Sequence, residues 1–289
     1  MIRNFNYALV IATDSFKDKL GAALTEFSQV QGLEVYVVAN GKNSVSITEQ
    51  YRGIPGLPSN AKIMTSPDQG KSVALNYFLR NVGQANLFLI FTDDDVLFPK
   101  ENITRYISVV EQKGRGYYYG GGVDVLRDVD LPNDRLKLYP ESIRGIEENQ
   151  LEHREIFLGC NWGAFAEDII QVGGFNPYFG PGSITGSVGQ ESYMMKQLVA
   201  AGIRPSPIYD CRVTHHAPSD YHEEQWLYKR RYREGIQRGL LRKKGFLKTL
   251  LKKTLGIFQR DKVKRRANVQ FAKGMIYSMK YLLVNVERN

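Results

Sequence analysis

Asn86-Leu-Phe-Leu-Ile-Phe-Thr-Asp93-Asp94-Asp95-Val96 drives an apolar run straight into three consecutive carboxylates. The bulky run suits a strand buried on both faces, and such a strand has no reason to end in clustered negative charge unless a cation neutralises it. Two readings are open at this point. Hard divalent ions such as Mg²⁺ and Mn²⁺ take oxygen ligands and bridge phosphates, so carboxylates at the C-terminal tip of a central strand suit a diphosphate site. The plainer reading is a solvated acidic turn that closes the strand.

Upstream of this stretch, strand and helix signals alternate. Tyr7–Thr13 reads as a buried strand, and Lys17–Val30 places Leu20, Leu24 and Phe27 on one helical stripe. Glu34–Gly41 is a second strand ending in a turn, and Lys62–Thr65 follows a Gly/Pro/Ser-rich loop as a short third strand. The helix expected over Gln69–Val82 is capped either by Ser66, with Pro67 in the first turn, or by Asp68. This alternation predicts an α/β fold with a mainly parallel sheet, helices on both faces and ligands beyond the carboxyl ends of the strands.

Composition and charge bound the rest. The 289 residues, 43% hydrophobic, suit one domain with an appendage. Cys160 and Cys211 show no metal-ligand spacing and read as packed thiols of a reducing compartment. No signal peptide is read at the N-terminus, and no apolar run approaches a membrane span. The net charge of +9 hides a division: residues 225–289 hold 19 Lys and Arg against three acids, while residues 1–224 hold 20 against 27. The expected domains are therefore 1–222 and a basic helical appendage, 223–289.

Further motifs give the pattern a family likeness. Val-Val-Ala-Asn40-Gly41, then Gln69-Gly70-Lys71 leading into a helix with Asn76, then Thr-Asp93-Asp94-Asp95, resembles the front half of a family-two glycosyltransferase of the GT-A fold. Gly159-Cys-Asn161-Trp162-Gly163-Ala-Phe-Ala and Val172-Gly-Gly-Phe-Asn176 resemble that family's acceptor-side GxNxAF and GGFD segments. Gly189-Gln190-Glu191 resembles its GED helix start, and Val213-Thr-His215-His216 its closing strand. The likeness runs from about Tyr7 to Pro218.

The resemblance implies roles for particular residues. Asp93 would contact ribose or metal, and Asp95, with His215, would hold the Mn²⁺ or Mg²⁺ that bridges the donor's phosphates; His216 is the rival of His215. Asp94 joins the donor set as a supporting carboxylate. Thr13 and Asp14 lie where the first loop meets the nucleotide, Asn40 stands where the family reads uracil, and Lys71 is a candidate for phosphate. Glu191 is the expected general base of an inverting transfer. Gln190 replaces the family's first carboxylate and is expected, with Trp162, on the acceptor side. Tyr117–Gly122 reads as a strand and a close-packed turn without chemistry. The Gly180–Gly189 loop reads as a closing lid or as plain surface.

The basic appendage interleaves Trp226, Leu227, Ile236, Phe246, Leu247, Leu250 and Leu251 with Lys and Arg, interrupted by Gly235, Gly239 and Gly245. That texture suits amphipathic helices on an anionic membrane surface; a solvated hairpin covering the core is the alternative. A second helix, Ala267–Val286, packs on the first or on a partner subunit, so an oligomer stays open. The expected partners are a nucleotide sugar, UDP-linked in the first instance, and a glycan or lipid-linked acceptor. The expected place is the cytoplasm, peripheral on the inner face of the membrane. Two rival classes remain. One is a nucleic-acid-binding protein, disfavoured by the regular apolar interleaving. The other is a silent sugar-nucleotide-binding module that lost turnover at Gln190.

Overall fold

The computed structural model describes residues 5–241 and 246–285. In chain order the main elements are β1 (Asn6–Thr13), α1 (Asp18–Phe27), β2 (Leu33–Ala39), α2 (Ser44–Arg52), β3 (Ala61–Thr65), α3 (Lys71–Val82), β4 (Leu87–Thr92) and β5 (Val96–Leu97). There follow α4 (Lys100–Lys113), β6 (Tyr117–Leu126), α5 (Glu141–Arg144), β7 (Trp162–Phe165), α6 (Ala166–Gln171), α7 (Gln190–Ala200) and β8 (Arg204–His216). Helices α8 (Glu224–Leu240), α9 (Phe246–Leu255) and α10 (Lys262–Asn285) close the chain.

The chain forms two compact units, neither of them one continuous segment. The first takes Met1–Leu126, Gly145–Pro177 and Gln190–His216; the second takes Arg127–Arg144, Tyr178–Gly189 and Ala217–Asn289. The last segment of the second unit starts at Ala217, and two internal segments join its helices. Tyr221 shows why: it is fully buried in the second unit, and its hydroxyl accepts from the Val129 N–H at 2.8 Å.

The first unit holds one sheet of eight strands in the order β3-β2-β1-β4-β7-β6-β8-β5. Strands β1 to β4 pair parallel, as do β6 and β8, while β7 and β5 run antiparallel to their neighbours. Period-two alternation explains the double burial of the central strands. Tyr7, Leu9 and Ile11 of β1, with Phe88 and Ile90 of β4, face α1, α2 and α4 through Leu24, Phe27, Tyr51 and Tyr106. Ala8 and Val10, with Leu89 and Phe91, face α3, α6 and α7 through Phe78, Ile169 and Met194. All six residues of β4 are buried, as a doubly covered strand requires.

Three local expectations are corrected. Ser44–Arg52 is a helix where none was read, because Ile47 and Tyr51, four apart, reach the core. Helix α3 starts at Lys71 without a side-chain cap; the Gly70 N–H donates instead to Asn40 Oδ1 at 3.1 Å. The Tyr117–Gly122 run contains no turn, since β6 continues through all three glycines with a register shift between Gly120 and Gly122.

In the second unit Tyr139, Ile143, Tyr221, Leu227, Tyr228, Val263 and Ala267 make a separate core. Gly235 and Gly239 do not interrupt α8, which runs through both. They let α10 approach: a Cβ on Gly235 would lie 2.1 Å from the Phe271 carbonyl, and one on Gly239 would lie 1.8 Å from Ser278 Oγ. The helical penalty of glycine, about 1 kcal/mol each, is offset by that close crossing. Gly245 lies outside the described residues.

Candidate active site

The acidic tip of β4 sits at the carboxyl end of the sheet, where a second strand is clamped to it. The chain leaving Asp95 forms β5, which pairs antiparallel with β8 so that Val96 lies opposite His215. This pairing brings His215 Nε2 to 3.8 Å from Asp95 Oδ2. That separation is too long for a hydrogen bond, so neither atom satisfies the other. His216 lines a cavity of about 770 Å³ together with Asp93, Asp94, Asp95, Phe16 and Lys17. Of the two histidines, His215 is the one with a nitrogen within 4 Å of an Asp95 oxygen.

Asp93 meets Lys71. Its carboxylate pairs with Lys71 at the start of α3, and Lys71 Nζ also lies 3.0 Å from Glu191 Oε1 at the start of α7. Burial works against the lysine's charge, but the two carboxylates outweigh it and hold the ammonium well above the ordinary lysine range. Gln190 is fully buried, and its Nε2 donates to Glu191 Oε1 at 2.9 Å. Lys71 and Gln190 therefore fix one oxygen of Glu191. The backbone leaves room for it, because Gly159 has no side chain where that carboxylate lies.

Asp94 is tied to the neighbouring strand. It accepts from the buried Thr13 hydroxyl at 2.5 Å, tying the tip of β1 to that of β4. Withdrawal from water raises its carboxyl to about 6, and the charges of Asp95 and Asp93 add to the shift against the Thr13 hydrogen bond. Asp14 is exposed on the following loop.

Two expected contacts are corrected. Asn40 is buried, its Nδ2 donating to the Thr13 carbonyl at 2.8 Å while its Oδ1 accepts from Gly70. It braces three backbone segments and offers no free edge to a base. Trp162 has no exposed surface: it stacks on Phe91 with ring centroids 4.7 Å apart and touches Phe175 edge-on. Its face is core, not a sugar platform. Two further motif asparagines, Asn161 and Asn76, are braces too. Asn161 donates to the Gly122 and Cys211 carbonyls, and Asn76 pairs with the Phe175 backbone. Both cysteines are buried, and burial pushes the Cys211 thiol up to about 12, so neither is a nucleophile at neutral pH.

Unpartnered polar atoms collect at this end of the sheet. Among the described residues Thr92 Oγ1, Trp162 Nε1, Gln190 Oε1, His215 Nδ1 and His216 Nε2 are buried without a hydrogen bond. Each such atom costs about 1–3 kcal/mol. Thr92 and Trp162 line one small cavity with Lys71, Gly159 and Glu191. Such a concentration marks where water or substrate completes the structure.

The Gly180–Gly189 loop belongs to the second unit. Arg233 of α8 donates to the Gly186 carbonyl at 2.9 Å, and the Tyr281 hydroxyl of α10 donates to that of Ile184 at 3.1 Å. A Cβ on Gly189 would lie 1.7 Å from Gln237 Nε2. The loop is fastened to the helices at three points.

The family described as Glycosyl transferase family 2 matches residues 8–167, more than half of the chain. The chain belongs to that family. This glycosyltransferase also shares its fold with solved structures. A mannosyltransferase from Pyrobaculum calidifontis, solved with GDP-Man and Mn²⁺, is 16% identical with a TM-score of 0.53; the match covers 98% of this chain and 76% of that one. S. aureus TarS 1-349 is 13% identical with a TM-score of 0.52, covering 96% and 92%. The same protein with UDP-GlcNAc gives 11% and 0.50 over the same shares. No curated protein matches the sequence.

A divalent ion fits the donor set of this glycosyltransferase. Asp95 and His215 offer a carboxylate and an imidazole that do not bond each other, and the other nitrogen of His215 is buried and unpartnered. Among the described residues no three His, Cys, Asp or Glu side chains gather to hold an ion. An ion here would take its other ligands from water and phosphate, as Mg²⁺ does at phosphoryl sites.

Proposed function

We propose that this enzyme moves a sugar from a nucleoside-diphosphate sugar to a hydroxyl of a glycan or lipid-linked acceptor, with inversion at the anomeric carbon. One observation carries the reading: Lys71 binds Asp93 and Glu191 together, joining the end of β4 that would meet the donor to the carboxylate that would meet the acceptor. A UDP sugar is the first donor to test. The relatives solved with GDP-Man and with UDP-GlcNAc support the donor class rather than the choice within it.

In this reading Glu191 accepts the acceptor hydroxyl's proton as that oxygen attacks the anomeric carbon opposite the departing diphosphate. Gln190 and Lys71 hold one Glu191 oxygen, which leaves the other to take the proton. Lys71, buried and charged, also lies where positive charge favours a diphosphate. Asp95 and His215 would hold Mn²⁺ or Mg²⁺, which supplies Lewis-acid stabilisation of the leaving nucleoside diphosphate. Asp94 and Thr13 keep the acidic tip rigid.

Residues 225–289 place the enzyme at the cytoplasmic face of an anionic membrane, where lipid-linked acceptors reside. The support is their 19 Lys and Arg against three acids. No helix among the described residues is long and apolar enough to cross a membrane. The test is a panel of nucleotide sugars, with and without Mn²⁺, read by thermal stabilisation and by product formation. A donor that stabilises only with Mn²⁺ and is turned over is the expected result. Tight donor binding without transfer or hydrolysis would favour a silent binding module, the reading to which Gln190 lends itself.

A further inference from the structure

Helix α9 leaves three of its leucines uncovered. None of its ten residues is buried. Phe246, Thr249, Leu250 and Lys253 are half-buried, and Lys253 reaches α10, donating to Asn268 Oδ1 at 3.0 Å and lying over the Phe271 ring. Leu247, Leu251 and Leu255 repeat every four residues and so share one side. They are 71%, 62% and 64% exposed, and Phe258 follows at 78%. Helices α8 and α10 put Leu227, Ile236, Phe271 and Met275 in the interior, although α10 also exposes Ile276 and Met279.

The exposed leucines are accompanied by positive charge alone. Helix α9 carries Lys248, Lys252 and Lys253 and no acid, and Lys248 and Lys252 are exposed beside the leucines. The same unit has a cleft of about 520 Å³ lined by Arg265, Arg266 and Lys273 with Gln225, Tyr228 and Gln270. A second copy docked on this face would set lysine against lysine. A surface that is apolar beneath and negative above matches both features.

We propose that α9 is the element that enters the membrane interface, with Leu247, Leu251, Leu255 and Phe258 at the acyl boundary and Lys248 and Lys252 among anionic headgroups. The assignment rests on the reading that residues 225–289 meet an anionic membrane, and narrows it to one helix. Burying a leucine is worth on the order of tenfold or more in partition, and each lysine near an anionic surface about fivefold.

The test is cosedimentation of the full chain with vesicles of phosphatidylcholine alone or mixed with phosphatidylglycerol. The parent is expected to bind the mixed vesicles, and Leu247→Ser/Leu251→Ser/Leu255→Ser to lose binding at least about a hundredfold. Because these side chains touch little, the variant should keep its thermal midpoint. Lys248→Gln/Lys252→Gln should weaken binding by roughly 25-fold. Leu251→Trp should show an emission blue shift on adding mixed vesicles. A parent that binds and a triple variant that binds equally would overturn the assignment to α9 while leaving the broader membrane reading intact. A parent that binds no vesicle would sink both. Equal binding to neutral vesicles would remove the anionic headgroup from the proposal. A dimer of the parent that the triple variant cannot form would give the face to a second copy.

Discussion

A Cβ added to Gly159 would lie 2.2 Å from Glu191 Oε1, so the glycine of the Gly159-Cys-Asn161 motif is the space in which the proposed base sits. Gly159→Ala should therefore push the carboxylate out of line while leaving Asp95 and His215 in place. Displacement on the 1 Å scale is enough to lower transfer on the order of tenfold to a hundredfold. Donor affinity, measured by calorimetry, should stay within about twofold, and Glu191→Gln should lose on the order of 10²-fold or more. Near-parental turnover in Glu191→Gln would move the base to another group.

Lys71→Met removes the cation shared by Asp93 and Glu191. The lysine is 14%, Glu191 18% and Asp93 30% exposed, so one poorly solvated and one partly solvated carboxylate lose their cation. A stability loss of about 3 kcal/mol is expected from denaturant unfolding. Mn²⁺ should restore part of it, since a divalent ion can replace the missing charge. A variant as stable as the parent in EDTA would show that the triad is held by something else.

Asp95→Ala should fold normally and bind nucleoside diphosphate with equal, weak affinity in Mn²⁺ and in EDTA, whereas the parent should bind far more tightly with the metal. His215→Ala should lie between them. Isothermal titration decides the matter: parental affinity that ignores EDTA would rule out a metal held here.

Asp94 predicts a pH signature. Burial raises its carboxyl to about 6 from an ordinary value of 3.8, so the folded state binds this proton more tightly than the unfolded chain. Its contribution to stability is fully present below about pH 3.8 and is lost as the pH climbs to about 6. Asp94→Asn keeps an acceptor for Thr13 and abolishes that loss. In EDTA its melting temperature should match the parent's near pH 4 and exceed it above pH 6.5, and an equal difference at both pH values would contradict the assignment.

Much of this protein is legible in order along the chain, because the signals are local. The apolar run into Asp93-Asp94-Asp95, the alternation that lets Leu9 and Val10 face opposite layers, and the family motifs identify the sheet and its carboxyl end. Charge counting alone separates a basic tail from a mildly acidic body. Tertiary structure decided what these signals leave open, since the same residue serves different ends according to what packs on it. Asn40 and Trp162 are residue types that bind bases and sugars, yet backbone partners fully engage one and Phe91 covers the other. Gly235 and Gly239 break helices in isolation, yet here they are where α10 approaches closely. Lys71 and Glu191 stand 120 positions apart, and no local pattern pairs them; only the folding of α3 and α7 onto one face of the sheet brings ammonium and carboxylate within 3.0 Å.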